Sequence, residues 1–560
     1  MFVRVKLKTD GVKRSVQIVE SARAKGKVKQ CILRHVGIAY DDATEAALRE
    51  LAHQQIPTLM AQTARVCAQV DCFPLTEEAA IAGLARRKGR TRHKRVEDIL
   101  PASEVRLDDI REESRIIEGI HEVIGPLFDE LYGNVLDNPK STALLKDVVL
   151  SRIAHPDSKR ASAARLDQHF GKMHDLDAIY RMMDELFPRI NSVKQHTFEK
   201  TRSFFPDGVD LLLFDVTTLY FESTNTDALR RFGYSKDHRF NTTQVVLALA
   251  TNAQGLPVGY ELFSGNTAEV STLVAAIDAW KLLFRIDDVC FIGDRAMFTQ
   301  GNVALLEAKG FHYIIAAKLK AMPQLLRNEI LNEAHYRAVM LNDEVAWIGE
   351  FQYHASRLVV SYKSRRAAKD RTERQTVINK ITKTLGTRGN PQRLVTNAGV
   401  RHYVSMDADA VAHLDAEKIE KAAQWDGLHG LITNITRERA EAIIARYARL
   451  WVIEESFRIN KHTLKMRPIF HRKPERVHSH IAVCYMAFSL MRYVQQRVSN
   501  DEAMSIQRII DALTRVQASI LRHRHTGDRY RLPGAMNHVA RTIYNCFGIQ
   551  RNLDAEPYLI

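Results

Sequence analysis

Three carboxylates stand where apolar residues would be expected. Asp215 closes the run Leu211-Leu212-Leu213-Phe214, and Asp294 closes Val289-Cys290-Phe291-Ile292-Gly293. An ionised group at the end of a buried strand is costly unless it is paired or holds a cation. Either aspartate taken alone reads equally well as a strand-end residue capping the next turn. The third carboxylate is Glu454. Ile443, Tyr447, Leu450 and Trp451 form an apolar stripe at i, i+4, i+7 and i+8, and extending it reaches Glu454, Arg458 and Lys461. A Glu454–Arg458 pair along the helix is the plainer alternative. Glu455 lies about 100° further round and is expected on the polar face. Three convergent carboxylates are what a pair of Mg²⁺ ions needs, because Mg²⁺ prefers hard oxygen ligands. Two such ions ~4 Å apart activate the attacking oxygen and stabilise the leaving oxygen of an in-line phosphoryl displacement. Ligand hardness alone leaves Mn²⁺ as a possible substitute.

The elements that must position these groups follow from periodicity. Residues 209–214, 244–250, 258–263, 289–292 and 313–316 read as five strands, with a turn at Asn252–Gly255. Helical patterns over 267–283 and 302–309 complete two crossovers. Three strands linked as hairpins, followed by strand–helix–strand crossovers, is the order of a ribonuclease-H-like α/β domain. In such a sheet the first and fourth strands are neighbours, which would bring Asp215 and Asp294 together. A long helix over 436–465 would deliver Glu454, and a second runs over about 475–498. The expected division is a small β-rich unit over 1–55, a mainly helical DNA-binding or dimerisation region over 56–204, and the first part of the catalytic core over 205–320. A β-rich insertion over 321–425, the second part of the core over 426–498 and a helical C-terminal region over 499–560 follow.

Charge narrows the function classes. Among 560 residues, 81 Lys and Arg stand against 66 Asp and Glu, a net +15 that favours a polyanionic partner. Arg86, Arg87, Lys88, Arg90, Arg92, Lys94 and Arg95 form a dense cluster suited to DNA phosphates, although a solvated loop would look the same. A further basic stretch carries Lys363, Arg365, Arg366, Lys369, Arg371 and Arg374. The longest apolar run, 481–491, is well short of the ~20 residues that span a bilayer. The N-terminus has no signal-peptide pattern, and the six Cys form no CxxC pair, so a cytosolic, reduced setting without membrane partners is expected.

Tyr447-x2-Leu450-x3-Glu454-x6-Lys461 resembles the Y-x2-R-x3-E-x6-K signature of the IS-four-type DDE transposases of insertion sequences. Phe214-Asp215-Val216-Thr217-Thr218 and Gly293-Asp294-Arg295-Ala296-Met297 are similar to that family's first two catalytic motifs. Segments starting at Gly233 and Gly265 point to its branch of long transposases, and the resemblance covers about 205–495. Spacers of 78 residues between the aspartates and 159 before Glu454 suit a core interrupted by an insertion. Leu450 departs from the signature Arg, with Arg449 beside it as a substitute. The resemblance implies that Asp215, Asp294 and Glu454 hold two Mg²⁺ ions and catalyse DNA cleavage and strand transfer. It assigns Tyr447 and Lys461 to the DNA backbone, with Arg458 and Arg295 as further contacts to DNA or carboxylates. The implied partners are double-stranded element ends and target DNA, handled by a homodimer in the bacterial cytosol near the nucleoid. Competing readings are a ribonuclease-H-like nuclease without strand transfer and an inactive DNA-binding remnant. Paired-carboxylate glycoside hydrolysis needs only two carboxylates and gains nothing from the positive charge.

Overall fold

The computed structural model describes residues 2–7, 14–24, 27–39, a few positions between 45 and 56, and 106–558 with short interruptions at 205–210, 223, 234–240, 285–288, 294–297, 342–343, 386–400, 407–411 and 500–502. The chain divides into two compact units, Met1–Ser103 and Glu104–Ile560. The first holds an antiparallel sheet of β1 (Phe2–Leu7), β2 (Arg14–Ala24) and β3 (Lys27–Ala39). Val16 and Ile18 share one face of β2 and are buried with Ala52, and Ser15, Gln17 and Val19 on the other face are buried as well. The Arg86–Arg95 cluster lies outside the described residues.

The second unit starts with β4 (Ile110–Ile117) and five helices: α1 (Gly119–Tyr132), α2 (Pro139–Ala154), α3 (Lys159–Phe170), α4 (Leu176–Leu186) and α5 (Ile190–Ser203). The core sheet comprises β5 (Leu211–Tyr220), β6 (Gln244–Thr251), β7 (Pro257–Ser264), β8 (Cys290–Gly293) and β9 (His312–Ala316). Helices α6 (Glu269–Phe284) and α7 (Gln300–Ala308) supply the crossovers. These strands lie in the order β7-β6-β5-β8-β9, with β8 parallel to both β5 and β9, so the first and fourth are neighbours. Asn252 shapes the β6–β7 turn: its Oδ1 accepts from the backbone N–H groups of Gln254 and Leu256.

Alternation splits β5 between two cores. Leu212, Phe214 and Val216 pack with Trp280 and Phe284 of α6. Leu211, Leu213 and Leu219 belong to a second core on the opposite face. That core is dominated by α11 (Pro474–Val498), in which every residue from Ser479 to Val494 is buried. A helix apolar on all sides is a central helix of a layered domain. It contains the 481–491 run, and no helix among the described residues is long and apolar enough to cross a membrane.

The region expected as a β-rich insertion, 321–425, supplies strands that join the core sheet and departs from that expectation in carrying a long helix. Strands β10 (Tyr336–Leu341), β11 (Glu344–Tyr353) and β12 (Ser356–Tyr362) extend the core sheet through β15 (Leu428–Thr433), giving nine strands. It also contains a 22-residue helix, α8 (Ser364–Leu385), followed by the small pair β13 (Val404–Met406) and β14 (Ala412–Leu414).

The single helix expected over 436–465 is broken. It comprises α9 (Ala440–Tyr447), a tight 3-10 turn at Ala448–Leu450, α10 (Trp451–Arg458) and a wide π turn at Ile459–Thr463. Asn460 Nδ2 donates to the Ser456 carbonyl at 2.9 Å, competing with the regular helical donor, and Leu464 N–H reaches back to Ile459 O instead.

The C-terminal region expected to be helical is mixed. Besides α12 (Ile506–Thr514) and α13 (His538–Cys546) it holds β16 (Gln517–His523), β17 (Arg529–Pro533) and β18 (Glu556–Pro557). These strands pair with β4 from the other end of this unit, in the order β18-β17-β16-β4.

Candidate active site

Asp215 lies inside β5 rather than at its end, because that strand continues to Tyr220. It pairs with Leu249 across the β5–β6 ladder. By alternation it shares the face of Leu211, Leu213 and Leu219, which is the face covered by α10 and α11. It is half-buried, and its Oδ1 accepts from Val216 N–H at 2.7 Å. The parallel β5–β8 ladder runs from Leu211↔Cys290 to Phe214↔Gly293. Each residue of that last pair is followed in sequence by one of the two predicted aspartates. A side chain at Gly293 would meet the Phe214 carbonyl at 2.7 Å, so glycine allows the close approach there. Asp294 and Arg295 lie outside the described residues.

Helix α10 packs against β5 and β6. The chain after the π turn stays with β5: Ile469 bridges Phe221, its N–H donates to Tyr220 O, and Arg467 covers the Tyr220 ring at 5.1 Å. The helix carrying Glu454 is therefore laid along the strand carrying Asp215.

The burial expected on α10 is reversed. The tight turn at 448–450 changes the helical phase, so Val452, Ile453, Ser456 and Phe457 are buried while Trp451 is 56% exposed. Glu454 is exposed and makes no hydrogen bond or ion pair with any described residue. Glu455, expected on the polar face, is the half-buried one. It lies 3.6 Å from Arg492 and 3.6 Å from Arg458, so Arg458 pairs with Glu455 rather than Glu454. Arg492 is buried, which lowers its pKa, and donates to Ser456 Oγ and Gln495 Oε1. Glu455 is thus committed to a structural charge pair, while Glu454 is left available.

The remaining signature positions surround this helix. Tyr447 ends α9 and lies against His429 of β15, ring centroids 5.4 Å apart. Burial, reinforced by Arg366 and Lys363, holds His429 at a pKa of about 4, so its ring is neutral. Leu450 packs on the core, whereas Arg449 is exposed and lines a cleft of about 400 Å³ with Trp451, Glu455, Arg492 and Gln254. Lys461 lies in the π turn, its Nζ 5.9 Å from the Phe457 ring centre. Sequence reasoning missed Arg492, which sits in a run of buried apolar residues and is itself the signal: a cation there needs a carboxylate partner.

No three His, Cys, Asp or Glu side chains come together as a metal site among the described residues. The sequence pattern of the family described as the transposase DDE domain matches residues 208–490. The chain belongs to the DDE transposase family. Its residues 2–58 also match the N-terminal domain described for IS1634 family transposases. No curated protein matches this transposase. One solved structure similar to it is described as a piggyBac transposase synaptic complex with hairpin DNA, at 9% identity and a TM-score of 0.35, covering 71% of this chain and 77% of that one.

Proposed function

We propose that this transposase cuts DNA at the ends of an insertion sequence of the IS-four type and joins the freed 3′-hydroxyl to target DNA. The observation that carries the reading is the β5–β8 ladder ending at Phe214↔Gly293, with α10 lying along β5. The strand order β7-β6-β5-β8-β9 is that of a ribonuclease-H-like core. Asp215, Asp294 and Glu454 are the groups to hold divalent metal. A half-buried aspartate on the central strand and a glutamate on the adjoining helix that is paired with no described residue fit the oxygen-rich site that Mg²⁺ prefers. When bound, two such ions would supply charge stabilisation at the reacting phosphate and activation of the attacking oxygen. The chain's own residues orient the DNA: Tyr447 and Lys461 on the backbone, supported by Arg458 and Arg449. End recognition is assigned to the N-terminal unit, because phosphate contacts position DNA while base contacts specify it.

The test is cleavage of a plasmid carrying the element's ends, with Mg²⁺ present. Asp215→Ala, Asp294→Ala and Glu454→Gln should each lose cleavage and strand transfer while still retarding end DNA in a gel. Cleavage without joining by the unaltered protein would favour the plain nuclease; cleavage by all three variants would remove the assignment.

A further inference from the structure

Helix α8 is built with two opposed faces. Its inner face carries Val377, Ile381 and Leu385, which pack against Val404, Ala412 and Leu414 of the β13–β14 pair. Polar anchors continue that face. Arg374 pairs with Asp426, and Asp370 accepts from Gly427 N–H at 3.0 Å. Only Ala367 and Ile381 of its 22 residues are buried.

The outer face is cationic. Arg365, Lys369, Thr372, Thr376, Lys380 and Lys383 follow one another at steps of four, three, four, four and three, which is a straight stripe along a helix. All six are exposed. The two threonine hydroxyls are spent on the helix itself, donating to Ala368 O and Thr372 O, so the four cations define the stripe. Among the described residues the acid at its edge is Glu373, 3.7 Å from Lys369 and 66% exposed, too solvated to neutralise that lysine. Seven Lys and Arg against two acids give the helix a net +5. Its first half carries two i,i+4 pairs, Arg366–Asp370 at 3.9 Å and Lys369–Glu373, but seven cations against two acids are more than a helix stabilised by its own ion pairs would carry.

The start of the helix lies beside β15, the strand that carries the Tyr447 contact. Lys363 N–H donates to Gly427 O at 3.2 Å, Tyr362 pairs with Leu428, and His429 next along the strand lies against Tyr447. From there α8 runs about 33 Å, the length of roughly ten base pairs at 3.4 Å per step on each strand. We infer that the outer face of α8 is a track for the phosphate backbone of duplex DNA leaving the active site, gripping it without regard to sequence. Compact ammonium groups act as point charges on phosphates rather than as readers of base edges, and three of the four cations are lysines. The inference rests on the DNA-handling reading above and names the surface that holds the duplex.

The test uses full-length protein and two unrelated 30-base-pair duplexes, neither carrying element ends, with affinity measured against KCl concentration. The fourfold variant R365Q, K369Q, K380Q and K383Q should lower the slope of log affinity against log salt by about 3 to 4, since each phosphate contact contributes ~0.9. The fall should be the same for both duplexes. Glutamine is a good helix former, and a thermal melt checks folding. If the fourfold variant melts early, K380Q with K383Q carries the test, with an expected fall of about 2. A fall smaller than 1 in wild-type-like folded protein overturns the inference while leaving the transposase reading intact. Wild-type protein that binds neither these duplexes nor element ends overturns both.

Discussion

At the residue scale the decisive contrast is between two adjacent glutamates. Glu455 is tied to a buried arginine, and Glu454 is tied to no described residue. Their substitutions should therefore fail in different assays. Glu454→Gln should leave the denaturation midpoint unchanged and abolish Mg²⁺-dependent cleavage. Glu455→Gln should lower unfolding free energy by about 1–3 kcal/mol, because it removes the carboxylate beside Arg492 and leaves that guanidinium short of a partner. Urea titration of both variants checks this; a destabilised Glu454→Gln and an unaffected Glu455→Gln would reverse the roles. Histidines set a second residue-scale expectation. Burial holds His429 at about 4 and His471 at about 3, below the ordinary value of 6.5. The folded state thus resists protonation more than the unfolded chain does. Their contribution is complete above pH 6.5 and declines as pH falls towards 4, where His429 has lost its share. For His429 that share is about 3 kcal/mol. Urea unfolding at pH 7.5 and pH 5 should show the loss, and His429→Gln should make the dependence shallower.

At the element scale, the turn between β6 and β7 meets the helices of the site. Gly255 has φ +82°, and a Cβ there would come within 2.7 Å of Arg492 Nη2 and 2.8 Å of Val452 Cγ1. Only glycine takes that conformation without strain, and only a missing side chain lets the turn seat against α10 and α11. Gly255→Ala should cost about 2 kcal/mol or more, the strain adding to the displaced contacts. It should also depress cleavage beyond the stability loss, since the displaced atoms belong to the helices that carry Glu454 and Arg492. Equal activity per folded molecule would show that the turn only stabilises.

At the scale of the whole chain, residues 104–203 belong with the core rather than with the N-terminal unit. Helix α2 packs on α11, α5 packs on β7, and β4 pairs with β16 from the far end of the sequence. Glu118 is held by Arg531 and Arg551. A chain cut between 103 and 104 should therefore yield a 104–560 fragment with its own cooperative melt, retaining sequence-independent DNA binding but losing preference for element ends. A fragment starting at 205 should fail to fold, as exposed apolar faces of α11 and β7 would lose their cover. Circular dichroism melts of the two fragments decide it. Some of this architecture is written in local sequence. The five core strands, the Asn252–Gly255 turn and the carboxylate motifs follow from periodicity, because a strand buried on both faces must be apolar throughout and an acid within it stands out. Local pattern could not decide the phase of α10. The tight turn at 448–450 and the wide turn at 459–463 shift which side of the helix meets the sheet, and the side that is buried meets a tertiary partner, Arg492 of α11 donating to Ser456 Oγ, that no local pattern announces. Nor could it join β4 to β16, since strands some 400 residues apart share no local signal. That pairing exists only because the packed helices bring the two ends of the unit side by side.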